Sequence, residues 1–491
     1  AKGIYAHPYW HAAKRRNCLP ADTEVKLSDG TSETLKSIFE NSSDADEADS
    51  TGTIEKEIDL DVKSVEGERT VNSKAVKALR TPAQDFKIEF RTESGRRHEV
   101  FPDHRVKTDS GVKKARAVEK GDKLLTPANI DIDSERLESL DLTEILDSED
   151  IMVRNTGDLI RNIIESLGGL KPASEALELS RKNLGNYLYR DSIPLEILER
   201  ATEKTGEEIP ESAEIGAKRD SISIPSRIDL DRHLMRLLGY YLAEGYIRSS
   251  EKEGEQFYQV AFAYGEEELR EDIVECIEEV FGVEPAVEEN TVTVSSRLIY
   301  DLFEELDMGR NAENKRVPEL VKNLPRQDIS QLLSAYFAGD GSVEKDKLHV
   351  QATSVSRKLL DDIDFLLKRF GIYTRYREET REATGVLLEK YGEKHYEGKK
   401  FTSHYLSIRS ENAVRFGKKV GFSLERKQKA LEKDYSMART SREETSGELV
   451  KEEIVSRETK KADERFMYDI EVEDTHNFIT QDNLVTKNCD G

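Results

Sequence analysis

The sequence predicts a mixed fold: an all-β domain cut in two by a long α+β insertion, with a small helical segment where the insertion begins. Three observations predict it. Strand-like runs fill the chain from Cys18 to about Pro127 and return only after Arg465. Residues from about 230 to 430 repeat themselves once, helix for helix and strand for strand. Between these regions, apolar residues recur at helical spacing over about 156–210. A chain of 491 residues also exceeds what one core serves.

In chain order, residues 1–17 form a basic, aromatic lead-in. The runs TEVKL, TLKSIF, RTVNSKAVKALRT, DFKIEF, EVFPDHRVKT and GDKLLT then read as strands, punctuated by Asp29-Gly30 and Ser110-Gly111. This gives one part of the β domain over 18–127 and a second over 460–488, with 489–491 as a short flank. Residues 128–155 read as an acidic linker. The runs DLIRNIIESLG, PASEALEL, RKNLGNYLYRD and PLEILERATEKTG place helices over 156–212. Their spacing through Ser180 resembles a helix-turn-helix. Arg181, Lys182 and Asn183 open its second helix and are the DNA-contact candidates; the rival reading is a plain helical linker.

Residues 225–435 hold the repeat. Leu234, Leu237, Leu238, Tyr241 and Leu242 in HLMRLLGYYLAEGYI, and Ile329, Leu332, Leu333, Tyr336 and Phe337 in ISQLLSAYFAGDGSV, each line one face of a helix. Each helix ends in an acidic residue and a glycine, Glu244-Gly245 and Asp340-Gly341. The strand QFYQVAFAYG matches KLHVQATS, the helix ELREDIVECIEEVFGV matches KLLDDIDFLLKRFGIY, and NKRVPEL matches ERKQKAL. Two αββαββα-like halves about a pseudo-twofold axis follow. Small residues at Gly239, Ala243, Ala335 and Ala338 let the two helices approach, which brings Glu244 and Asp340 together. Two adjacent carboxylates repel unless a cation lies between them, and oxygen-only ligands select Mg²⁺ over zinc.

The paired helices resemble the motifs of the LAGLIDADG homing endonucleases, over about 200 residues. The resemblance implies metal ligation by Glu244 and Asp340 and Mg²⁺-dependent cutting of double-stranded DNA. It also implies a basic role near the scissile phosphate for Lys315 in NKRVP, with Lys427 its counterpart in the repeated loop. Saddle-shaped sheets are then expected in the major groove. The alternative is an inserted domain that binds DNA without cleaving it.

The ends carry different chemistry. Cys18 opens CLPADTEVKLSDG, and Asn488 precedes Cys489 in HNFITQDNLVTKNCDG. A nucleophile at one junction, and an Asn followed by a second nucleophile at the other, suffice to cut a polypeptide out of its precursor. The β segments resemble the horseshoe-like Hint splicing domain of inteins. By that resemblance Cys18 forms a thioester with Asn17, assisted by His104 in VFPDHRVKT. Cys489 then attacks the thioester, and Asn488 cyclises with help from His476 in DTHNF. Asp469 in MYDIEV couples the junctions. Splicing itself needs no cofactor. Two positions depart from the family pattern: Phe101 stands where Thr is usual, and Lys487 where His is usual. A hedgehog-type reading, with cleavage only at the first junction, leaves Asn488-Cys489 unexplained.

The flanks, joined as HAAKRRNCDG, resemble the large subunit of the archaeal family D DNA polymerase. The implied partners are thus the flanking exteins, the intein-less DNA site and, for the spliced host, the small polymerase subunit. The net charge of −24 disfavours nucleic acid taken alone, although a basic groove can coexist with acidic outer faces. Three cysteines make no disulfide framework, and Cys276 sits in a helical apolar run as a buried small hydrophobe. No stretch nears the ~20 apolar residues of a membrane span. A cytoplasmic monomer without membrane contact is expected.

Overall fold

The computed structural model describes residues 18–42, 48–49, 52–134, 136–147, 149–218, 222–252, 255–344, 347–382, 400–438 and 449–488. Residues from Cys18 to Pro127 and from Leu449 to Asn488 build one β domain. Strands Ile54–Glu66 and Arg69–Pro82 form a long antiparallel hairpin with Glu66 opposite Arg69. Gly67 turns it at φ +61°, the left-handed region glycine occupies without steric cost. Strand β1 (Phe466–Val472) pairs with the same hairpin, Asp469 opposite Leu79. A six-stranded sheet adds Leu449–Lys461 between Phe86–Thr92 and Lys123–Pro127. Strands β2 (Asn477–Ile479) and β3 (Val485–Lys487) pair with each other and complete the C-terminal segment. One apolar core unites residues from Leu19 to Leu124 with residues from Ile454 to Leu484.

The insertion has its own core, running from Ile130 to Leu431. Helix α1 (Arg232–Glu244) is opened by Asp231, whose carboxylate accepts from the His233 and Leu234 amides at 2.8 and 3.1 Å. Helix α2 (Arg326–Asp340) packs tightly along it. A Cβ on Gly239 would collide with the Leu332 carbonyl and lie 2.9 Å from Ala335 Cβ. A Cβ on Gly339 would lie 2.6 Å from Ala243 Cβ. Each helix leads into an antiparallel four-stranded sheet, and the two sheets have the same strand order relative to their helices. Helix α3 (Arg357–Lys368) belongs to the second half.

Four sequence expectations change. TLKSIF is not a strand: Leu35–Glu40 is helical, with Leu35, Ile38 and Phe39 on one buried face and Thr34 capping the Ser37 amide at 3.1 Å. Residues 128–155 are not a linker. Ser139–Asp141 pairs with Arg227–Asp229, Ile151–Arg154 is a sheet strand, and Leu140, Leu142 and Val153 enter the core. The segment over 156–212 is not purely helical, because Ser192–Pro194 pairs with Ile151–Arg154 and a four-stranded sheet backs its helices. The C-terminal β segment starts at Leu449, upstream of 460, since Leu449–Lys461 is a central strand.

Candidate functional site

The segment that begins at Cys18 and the segment that ends at Asn488 meet in the β domain. Cys18 is buried in a small cluster with Phe101 and Met467. Its neighbour Leu19 exchanges two backbone hydrogen bonds with Tyr468 on β1, at 2.7 and 2.9 Å. This places Cys18 and Leu19 near Asp469, whose buried carboxylate accepts from the Ile470 amide at 2.8 Å. His104 sits in a turn in which its amide donates to the Phe101 carbonyl at 2.9 Å. Its ring is buried, with Nε2 2.8 Å from Thr486 Oγ1 on β3.

His476 lies between β1 and β2 at φ +53°, and its carbonyl accepts from the Asn488 amide at 3.2 Å. The Asn488 carboxamide is buried; its Nδ2 donates to the Val472 carbonyl at 3.3 Å, and its Oδ1 has no partner among the described residues. Lys107 approaches the same end, and burial, then the nearby Lys487 charge, lowers the pKa of its ammonium. Asn17, Cys489 and both flanks, 1–17 and 489–491, lie outside the described residues. The structure therefore brings Cys18, His104, Asp469, His476 and Asn488 into one domain.

Three further residues escaped sequence reasoning. Asn477 spends its carboxamide on the hairpin: Oδ1 accepts from Val65 N at 2.9 Å, and Nδ2 donates to the Val65 and Thr475 carbonyls at 2.9 and 2.7 Å. Thr486 faces His104, and His98 Nε2 lies 3.2 Å from the same hydroxyl. Burial, then the neighbouring His104, pushes the His98 imidazole down to about 3. Only the fold brings these residues together, so no local motif announces them.

The second centre lies at the paired helix ends. Glu244 is exposed and Asp340 half-buried, each the last residue of its helix. Lys315 Nζ, almost wholly buried, donates to the Ala243 carbonyl at 2.8 Å. Lys427 Nζ donates to the Ala338 and Gly341 carbonyls at 2.5 and 2.6 Å. Each lysine thus neutralises the negative end of one helix. Burial, then repulsion from Glu244, raises the Asp340 carboxyl well above the usual carboxylate range. Burial also lowers Lys315, against the pull of Asp340 and Glu244.

A carboxylate pair in which the Asp340 charge is disfavoured fits Mg²⁺, which takes one or two protein carboxylates and fills its shell with water or phosphate oxygen. Among the described residues no cluster of three or more His, Cys, Asp or Glu side chains competes as a metal site. Arg181, Lys182 and Asn183 form the exposed first turn of helix Arg181–Arg190, which Ser180 caps through the Asn183 amide at 3.0 Å. Cys276 is buried, and burial pushes its thiol pKa up. Among the described residues no helix is long and apolar enough to cross a membrane.

The LAGLIDADG-like domain model matches residues 231–308 and 328–421, the two halves of the insertion. The DNA polymerase II large subunit of Thermococcus kodakarensis is 35% identical over 509 residues, covering 99% of this chain and 27% of that protein. The Haloquadratum walsbyi large subunit is 27% identical over 560 residues, covering 99% of this chain and 24% of that protein. The chain is an intein set in a DNA polymerase II large subunit. The intein spans about a quarter of the length of these curated relatives. Solved structures similar to it include the Pab PolII intein, 25% identical over 24% of this chain and 70% of that one at TM-score 0.21. An intein from a hyperthermophile is 24% identical over 23% of this chain and 72% of that one, also at TM-score 0.21.

Proposed function

We propose that the intein excises itself and joins its flanks, and that its inserted domain cuts double-stranded DNA with Mg²⁺ at Glu244 and Asp340. The observation that carries splicing is the closure of the C-terminal segment on the N-terminal one. Leu19 zips to Tyr468, His104 meets Thr486, and the Asn488 amide is held by His476.

In this reading Cys18 Sγ attacks the Asn17 carbonyl carbon. The C–N bond breaks, and the thiol's proton ends on the released amine by way of His104. A thiol of pKa ~8.5 is mostly protonated at neutral pH, so the site must activate the amide. Cys489 Sγ then takes the acyl group and frees the Cys18 thiol. Asn488 Nδ2 attacks its own carbonyl carbon, breaking the bond to Cys489 and leaving a succinimide; enforced proximity makes this slow attack competitive. The Val472 carbonyl on Nδ2 orients the nucleophile and draws on its proton. The roles of Asp469 and His476 are coupling of the junctions and assistance to cyclisation. An S-to-N shift restores a peptide bond between Asn17 and Cys489.

For the insertion, Glu244 and Asp340 would hold a Mg²⁺ ion, whose chemistry there would be Lewis-acid activation of water and stabilisation of a leaving 3′ oxygen. Lys315 and Lys427 hold the two helix ends in register rather than lying open to solvent. Exposed Arg248, Arg377, Arg381 and Arg409 on the two sheets, with Arg181, Lys182 and Asn183, supply cations for DNA phosphates despite the acidic whole. The engagement of both lysines by backbone carbonyls favours the second reading, binding without cutting. The host is then the polymerase large subunit, the small subunit its partner after splicing, and the cytoplasm its setting.

Asn488→Ala tests the splicing arm: cleavage at Cys18 under reductant should persist, while ligation and release at Cys489 stop. Ligation by that variant contradicts it. Mg²⁺-dependent cutting of the uninterrupted host-gene duplex, abolished in Asp340→Asn with binding retained, tests the other arm. A wild-type chain that binds this duplex and leaves it intact selects the binding-only reading.

A further inference from the structure

The turn that presents His104 has Phe101 three residues before it, and the structure uses that side chain for packing. Phe101 is fully buried against Cys18 and Met467. A phenyl ring offers His104 no hydrogen bond. The hydroxyl beside the imidazole comes instead from the far end of the chain: Thr486 Oγ1 lies 2.8 Å from His104 Nε2 and 3.2 Å from His98 Nε2. All three side chains are buried, with Thr486 and His104 wholly so. Thr486 lies on β3, two residues before Asn488, with its backbone fixed opposite Phe478.

We infer that Thr486 is the positioning residue for His104, supplying from the C-terminal strand the hydroxyl that Phe101 lacks; this rests on the splicing reading above. A threonine hydroxyl has one proton to give and two lone pairs to receive. In His98 → Thr486 → His104, Nε2–H of His98 donates to Oγ1 and the hydroxyl donates to Nε2 of His104. His104 then carries its own proton on Nδ1, the tautomer able to donate to the Cys18 amide nitrogen. The arrangement also ties the two reactions together. His104 is set for the first junction only while β3, which carries Asn488, is seated.

The experiment uses the full chain with Thr486→Val, which keeps the shape and removes the hydroxyl, and Thr486→Ser, which keeps the hydroxyl. Two quantities are read: the rate of thiol-induced release of residues 1–17 across pH, and the ¹⁵N signals of the His104 ring. The serine variant is expected to match wild type in both. The valine variant is expected to release the flank about ten- to a hundredfold more slowly, since a misplaced catalytic group costs on that scale. Its His104 should lose the pure Nδ1–H signature. Valine at the wild-type rate with unchanged His104 signals overturns the inference, as does a serine variant slowed as much as valine. A wild-type chain that never releases the flank overturns the splicing reading instead, and the ring signals then decide the Thr486 contact alone.

Discussion

Asn477 shows how one side chain fixes the C-terminal junction. Its carboxamide satisfies both the amide and the carbonyl of Val65, so the loop holding His476 is tied to the long hairpin. Asn477→Ala leaves those two buried backbone groups unpaired. The expected loss is about 2–4 kcal/mol on unmasking them, read as a lower denaturation midpoint. At Lys368 the sign of a pH effect can be worked out. Its Nζ donates to the Pro127 carbonyl at 2.7 Å, and burial pushes its ammonium down to about 8. An unfolded lysine keeps its proton to ~10.4, so between about 8 and 10.4 the unfolded chain binds more protons and stability rises with pH. The penalty is full below pH 8 and is relieved above it. The stability of wild type relative to Lys368→Met should therefore improve by ~1 kcal/mol per pH unit in that window. A difference that stays flat in denaturation from pH 7 to 10 contradicts the assignment. The sequence displayed Cys18, His104 and Asn488 because each sits in a recognisable local run. Thr486, His98 and Asn477 stayed hidden because their meaning lies wholly in partners far along the chain.

Helices α1 and α2 were legible as elements because their apolar residues recur at helical spacing and the repeat doubles the signal. Their closeness was legible as well, through Gly239 and Ala335, although Gly339 completes it against Ala243. Gly239→Val forces the new side chain into the Leu332 carbonyl and Ala335. The expected cost is about 3 kcal/mol of overpacking strain, with loss of Mg²⁺-dependent cutting as Glu244 and Asp340 move apart. Melting and cleavage assays on one preparation check both. Other elements were hidden by their charge. In LVKEEIVSRETKK burial alternates only over the first half, where charged Glu452 takes a buried position, and the rest is a charged, largely exposed extension. Residues 128–155 looked like an acidic linker because aspartates and glutamates outnumber the apolar residues that reach the core. Among neighbouring strands TLKSIF reads as one more, but the Thr34 cap and the spacing of Leu35, Ile38 and Phe39 favour a helix.

Across the whole molecule, the splicing domain and the insertion share a buried ionic seam that no motif foretold. Arg96 is wholly buried and donates to both Asp364 oxygens, at 3.0 and 3.1 Å, and to Glu452 at 3.2 Å. Asn483, in the turn between β2 and β3, donates to the same Asp364 at 2.8 Å, and Arg357 on α3 meets Asp482 at 3.1 Å. Burial pushes the Asp364 carboxyl up, but Arg96, then Lys368, hold it below the usual range. Helix α3 of the insertion therefore grips the turn that leads to Asn488. Arg96→Met strands Asp364 and Glu452 without their cation, at an expected cost of about 3–5 kcal/mol, measured by denaturation. Asp364→Asn combined with Arg96→Met should recover part of that loss. Self-excision by one unaided chain underlies the splicing reading. Its most direct test is the intact mass of the full chain incubated with reductant over a range of salt concentrations. Self-excision predicts loss of both flanks together with a peptide joining residues 1–17 to 489–491. A mass unchanged in every condition contradicts it.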